Sequence, residues 1–269
     1  RSQMTQGQGD AVLQNIQGAD QPVVMLDVAD PVSQREAGRL VWQQRGQGVF
    51  SASSSGLQYA LAEYWRSQGW LPATPSLPVG EAVPCIAVVS GSCSPMSAAQ
   101  IEWAEQHGFM TERLDVEKCL DPVQAEREIE RLVTLAVDAL ARQVSPVIYS
   151  ARGPDDAAVT GFDALVQRAG CEKAQGTERI GMALAEVMRR LLDRTELRRI
   201  VVAGGDSSGA VASHLQVQAF TVAAGMAPGV PLCRAWSDNP RRDGLEIALK
   251  GGQLGAVSFY GDVRAGRVG

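Results

Sequence analysis

No stretch of about 18 apolar residues runs uninterrupted through the chain, so no membrane-spanning helix is expected. Basic runs are missing too. The arginines are scattered, paired only at 189–190, 198–199 and 241–242, and the net charge is −5. That balance argues against a nucleic-acid surface. Two histidines, His107 and His214, and five widely spaced cysteines without a C-x-x-C leave little for a structural zinc site, and no metal ligands are assigned. Reduced thiols in a cytoplasmic protein are expected. Arg1 to Asp10 is polar and rich in Gly and Gln, without the apolar core of a secretion signal. Neither the P-loop spacing nor G-x-G-x-x-G occurs, and no internal repeat is visible.

What is present is ordinary for a globular protein: 45% apolar and 20% charged residues in 269, enough for one large domain or two small ones. The most informative stretch is Arg198 to Leu215. Ile200 to Ala203 has the β-branched composition of a buried parallel strand. It stops at Gly204-Gly205-Asp206-Ser207-Ser208-Gly209, after which a helical pattern begins. Glycines let the backbone turn sharply and approach a ligand, because no Cβ stands in the way. A helix start offers unpaired N–H groups and partial positive charge, which suit phosphate. A plain strand-to-helix turn capped by Asp206, Ser207 or Ser208 is the alternative.

Other elements follow the same alternation. Pro22–Val28 reads as a buried strand, Pro31–Arg45 as a helix, Val49–Ala52 as a short strand and Leu57–Trp65 as a helix. That β-α-β-α succession predicts a parallel sheet. The proline-rich residues 71–84 read as a linker between a first domain, 1–70, and a second, 85–269. The second opens with the strand Cys85–Val89, ends it in Ser90-Gly91-Ser92-Cys93-Ser94-Pro95, and continues as a helix from Met96 to Gly108. Small hydroxyl residues at the carboxyl end of a strand sit where open α/β sheets bind ligands; a Ser-Pro helix start is the plain reading. Cys93 is expected to be a buried small residue rather than a nucleophile.

Further on, strands are expected over 109–114 and 146–150, and helices over 123–143 and 176–192. Residues 151–156 read as a solvated polar turn. Gln218–Val222 is followed by an expected loop, Ala223–Pro231, then apolar segments at 232–236 and 245–250. The glycine-rich stretch after Lys250 permits close backbone approach to a base or ribose, or makes a simple turn. Ala256–Gly261 is expected as an edge strand.

Several of these motifs resemble one family. Ser90-Gly91-Ser92-Cys93-Ser94-Pro95, with Gln100 behind it, resembles the G-S-x-S-P-x-T-x-x-Q element of the four-carbon acid sugar kinases, which include the D-threonate, D-erythronate and 3-oxo-tetronate kinases. Gly204-Gly205-Asp206-Ser207-Ser208-Gly209-Ala210-Val211 is similar to the family's G-G-E-T-S-G-A-V. Pro228-Gly229-Val230-Pro231 is similar to its P-G-V-P, and residues 248–255 to its A-L-K-S-G-N-F-G. Ser54-Ser55-Gly56-Leu57 resembles G-S-A-G-L of the amino-terminal domain. Nothing before Asp20 matches the family's D-D-x-T-G-A; the sequence is either a fragment or a member that lost the acid-sugar site.

The resemblance implies an α/β fold, with parallel or mixed sheets flanked by helices, made of a partial amino-terminal substrate domain and a carboxyl-terminal nucleotide-binding domain. It implies ATP-dependent phosphorylation of a hydroxyl on a four-carbon sugar acid, with Mg²⁺ bridging phosphates. Nucleotide contacts would fall on Ser90, Ser92, Ser94, Gly204, Gly205, Asp206, Ser207 and Gly252. No catalytic base is assigned. The expected partner is the small sugar acid, without nucleic acid or membrane, and a homodimer is left open. The alternative is a non-catalytic nucleotide-binding or regulatory protein.

Overall fold

The computed structural model describes residues 9–11, 23–73 and 78–267. The chain divides into two compact units, Arg1–Ser76 and Leu77–Gly269. In the first, helices α1 (Pro31–Gln44) and α2 (Gly56–Ser67) pack face to face. Asp30 caps α1 by accepting from the Ser33 N–H, and the Ser33 hydroxyl reaches back to Asp30. A Cβ on Gly38 would lie 2.0 Å from the Ala60 carbonyl, so the two helix backbones meet at a site only glycine fits. Trp42 packs edge-on against Trp65 with ring centroids 5.0 Å apart.

The strands expected in this unit are not formed among its described residues. Residues 23–29 and 49–52 are irregular, with Val23 and Phe50 exposed; Gln21 and Pro22 lie outside the described residues. An apolar run becomes a strand only when a neighbouring strand accepts its backbone bonds.

The second unit is a seven-stranded mixed sheet with helices on both faces, as the α/β reading expected. Its elements are β1 (Ala87–Ser90), α3 (Pro95–Gln106), β2 (Met110–Arg113), α4 (Val116–Cys119), α5 (Pro122–Ala141), β3 (Pro146–Tyr149), α6 (Ala157–Thr160), α7 (Phe162–Arg168), α8 (Lys173–Arg194), β4 (Arg199–Ala203), α9 (Gly205–His214), β5 (Ala219–Ala227), β6 (Val230–Trp236), β7 (Glu246–Lys250) and α10 (Phe259–Ala265). The spatial order is β2-β3-β1-β4-β7-β6-β5. The five strands from β2 to β7 are parallel; β6 runs antiparallel to them, and β5, antiparallel to β6, returns to their direction.

Strand alternation sends successive side chains to opposite faces. Val89, Ile148 and Val202 join α5, α8 and α9 on one face, whereas Val88, Val147 and Val201 join α3 and α10 on the other. Chain order places the functional edge. From β1 the chain leaves through α3 towards β2, and from the adjacent β4 it leaves through α9 towards the opposite side of the sheet. The carboxyl ends of β1 and β4 therefore flank a topological switch point, where open α/β sheets bind ligands.

Three expectations differ here. The loop expected over 223–231 is mostly a hairpin, β5 and β6 joined at Pro228-Gly229, with Gly229 at φ +77°. The edge strand expected over 256–261 is a turn leading into the first residues of α10, whose Phe259, Tyr260 and Val263 are buried at helical spacing. The 151–156 turn is not uniformly solvated, since Asp156 is buried, caps α6 and pairs with Arg113.

Candidate functional site

The carboxyl edge of the sheet carries one continuous row. Arg113 stands opposite Tyr149, Tyr149 opposite Ser90, Ser90 opposite Ala203, and Ala203 opposite Lys250. Three of these strands end in the small-residue corners singled out above: 90–95 after β1, 204–208 after β4 and 251–256 after β7.

The corners touch. Gly91 N–H donates to the Ala203 carbonyl at 3.0 Å, and Gly204 N–H donates to the Lys250 carbonyl at 2.9 Å. A Cβ on Gly91 would lie 2.0 Å from Ser207 Oγ, so the first two corners interlock there. Gly204 has φ +115°, and its Cβ would come within 3.2 Å of the Ser92 backbone nitrogen. The third corner is held to the first by the Ser94 hydroxyl, which donates to the Gly252 carbonyl at 2.6 Å. A Cβ on Gly252 would meet Ser92 Oγ at 2.3 Å.

Helix α3 fastens that third corner. Ser94 is its N-cap and accepts from Ser97 N–H at 3.0 Å. The Ser97 hydroxyl donates to the Gly252 carbonyl at 3.1 Å. The Gln100 amide, fully buried, donates to the carbonyls of Leu254 and Ala256 at 3.1 and 2.8 Å. Three carbonyls of the glycine loop are thereby turned towards α3.

Helix α9 begins differently. It starts at Gly205, inside the glycine-rich motif, with Gly204 as N-cap and no side chain on its first N–H groups. Asp206, Ser207 and Ser208 lie within its first turn, so none of them caps it; the Ser208 hydroxyl donates back to the Gly204 carbonyl at 2.7 Å. By contrast α1, α3, α5 and α6 are each capped by a serine or aspartate side chain. Gly205 and Asp206 are exposed. An uncapped, exposed start at a sheet's switch point suits an anion.

The remaining expected residues divide by access. Ser92 and Ser207 are mostly buried where the corners meet, and Ser94 is half-buried. Ser90 is fully buried beside the Tyr260 hydroxyl, which burial pushes well above the usual phenol range. Cys93 is exposed between Ser92 and Ser94, not buried as expected. Its thiol is raised by desolvation and by the charge of Asp156, the reverse of an activated nucleophile. Lys250, Ser97 and Gln100 were not among the expected site residues; the signal for Lys250 was a lone cation ending the apolar run Ile247-Ala248-Leu249.

Known proteins resemble the chain over most of its length. A family model described as the nucleotide-binding C-terminal domain matches residues 87–260, which hold all three corners. The chain belongs to the four-carbon acid sugar kinase family. Within that family it is 61% identical over 249 residues to the 3-oxo-isoapionate kinase of Paraburkholderia graminis, covering 93% of this chain and 53% of the relative. It is 31% identical over 217 residues to the 3-oxo-tetronate kinase of Salmonella typhimurium, covering 79% and 46%. The fold resembles that of a Haemophilus influenzae protein of family DUF1537, at TM-score 0.60 and 23% identity over 88% of this chain and 52% of that one. The chain spans about half the length of the curated relatives it matches.

Proposed function

We propose that residues 85–269 form the nucleotide-binding domain of an ATP-dependent kinase, and that residues 1–70 belong to its substrate domain, joined by the linker 71–84. The acceptor is a hydroxyl of a small 3-oxo sugar acid of the kind named for the relatives. What supports the nucleotide reading above all is the meeting of three small-residue corners around the uncapped start of α9.

In this reading the N–H groups of Gly205, Asp206 and Ser207 receive phosphate oxygens. Gly204 and Gly252 keep the walls free of side chains, and Ser92 offers a hydroxyl on the facing wall, while Ser94, whose proton goes to the Gly252 carbonyl, holds that wall in place. Ser90, buried under Tyr260, supports the floor rather than touching the ligand. Among the described residues no group of three or more metal-ligating side chains exists. Mg²⁺ in such a site is held largely by the phosphates, and the exposed carboxylate of Asp206 is the side chain suited to join it. Phosphoryl transfer depends mostly on positioning and charge neutralisation, which this domain would supply for the donor.

Thermal unfolding with nucleotide tests the reading. A hundredfold excess of MgADP over its Kd should raise the Tm by roughly 5–10 °C. No shift at millimolar nucleotide would count against it.

A further inference from the structure

Four cationic side chains are buried among the described residues: Arg39, Arg199, Arg242 and Lys250. Three of them hold a carboxylate. Arg39 pairs with Glu36 and Asp10, Arg199 with Glu246 at 2.6 Å, and Arg242 with Asp193. Lys250 is 1% exposed and has none; its partners are the Ser97 hydroxyl at 3.4 Å and the Gly252 carbonyl at 3.3 Å. A buried charge without a counter-charge is costly, and a methionine would fill the same space without that cost.

The position of this exception is informative. Lys250 closes β7, and its own carbonyl receives the Gly204 N–H. The carbonyl its ammonium touches, that of Gly252, is also the acceptor for Ser94 and Ser97. One buried positive charge thus lies behind the junction of the first and third corners.

We propose that Lys250 is a specificity-determining residue of the nucleotide site, which makes it select phosphorylated nucleotides over the bare nucleoside. This inference rests on the nucleotide reading above and adds the source of charge selection. The ammonium acts across the Gly252 carbonyl: it holds that carbonyl turned away from the corner, and its field, little screened inside the protein, favours the polyphosphate. The missing counter-charge is the ligand's.

Burial holds the ammonium down to about 8. The titratable and charged groups on the surrounding elements are Glu102 and Glu105 on α3, Asp206 and His214 on α9, Arg199 on β4, Cys233 and Arg234 on β6, Glu246 on β7, and Tyr260, Asp262 and Arg264 on α10; none of them bonds it. Phosphate affinity should then fall as pH rises above 8, because the neutral amine loses its attraction for the anion.

The test is calorimetric titration of the 269-residue chain with ADP and with adenosine, comparing wild type, Lys250→Met and Lys250→Arg. The expected result is a loss of about 10- to 100-fold in ADP affinity for Lys250→Met, with adenosine affinity unchanged. Lys250→Arg should keep ADP affinity within a few fold and remove its decline between pH 8 and 9.5. Equal losses for ADP and adenosine in a folded Lys250→Met chain would make Lys250 merely structural and overturn the inference. ADP binding as tight as wild type in Lys250→Met would also overturn it, while leaving the nucleotide reading intact. If Lys250→Met does not fold, the wild-type and Lys250→Arg pH profiles decide, and identical profiles overturn the inference. Wild type binding neither ligand would remove the nucleotide reading, and this inference with it.

Discussion

The hydroxyl of Ser94 donates to the carbonyl of Gly252 across 2.6 Å, although 158 positions separate them in sequence. One side chain thus does two things: it caps α3 through the Ser97 N–H, and it ties the glycine loop after β7 to the corner after β1.

Replacing Ser94 should therefore affect stability and site geometry together. Ser94→Ala removes the cap and the tie, and should cost about 1–2 kcal/mol of unfolding free energy. Ser94→Thr keeps a hydroxyl and should lose much less. Urea denaturation of the three chains measures this. Equal stability of Ser94→Ala and wild type would show that the tie carries no weight.

Gly91 gives a steric counterpart. An alanine there would put its Cβ 2.0 Å from Ser207 Oγ, in a buried contact that opens only if that hydroxyl leaves its rotamer or α9 shifts. Gly91→Ala should destabilise the chain by about 1–3 kcal/mol. Adding Ser207→Ala should recover part of that loss, since the remaining contacts, with Leu184 Cδ1 and Ser207 Cβ, are at 3.3 Å. A double-mutant cycle with no coupling would contradict the interlock.

The acid side of the stability curve has an identifiable contributor on α8, where it packs against α9. Glu186 accepts from Arg189, Arg190 and His214, and these partners, Arg189 foremost, hold its carboxyl far below the usual carboxylate range. A carboxyl depressed in the folded state stabilises above its unfolded value, and that contribution is lost as pH falls through the acid range. Glu186→Gln should lower stability at pH 7 and lose less between pH 5 and pH 3 than wild type does. Parallel curves for the two chains would show that Glu186 is not a source of acid sensitivity.

Much of this arrangement was legible in the sequence, for physical reasons. Buried parallel strands such as Ile200–Ala203 are short β-branched runs, and the corners that follow carry glycines because Ser207 leaves no room for a Cβ at Gly91 and Gly204 takes φ +115°. Other features depended on context a sequence does not display. Pro22–Val28 and Val49–Ala52 have strand composition, but 23–29 and 49–52 find no partner strand among the described residues. Ala256–Gly261 is too short an apolar run for periodicity to separate strand from helix, and burial of Phe259, Tyr260 and Val263 against α3 and the sheet decided for helix. Glycines normally disfavour a helix, yet Gly205 opens α9, where N–H groups need no intrahelical partner. Lys250 could be read as an ordinary strand end until its burial without a carboxylate was visible.

The glycine loop should also be rigid before any ligand arrives. Gln100 pins the carbonyls of Leu254 and Ala256 from inside the fold. Gln100→Leu should leave the sheet intact but speed amide exchange over 251–257 by about tenfold, the loss of about 1.4 kcal/mol of local protection. Unchanged exchange there would mean the loop is held by packing alone.

The central claim is that the corners at 90–95, 204–208 and 251–256 act as one nucleotide site. Hydrogen–deuterium exchange of the 269-residue chain, with and without saturating MgADP, tests it most directly. The account predicts added protection in all three segments together, with the outer face of α5 unchanged. Protection of one corner alone, or of none while ADP binds elsewhere, would contradict it.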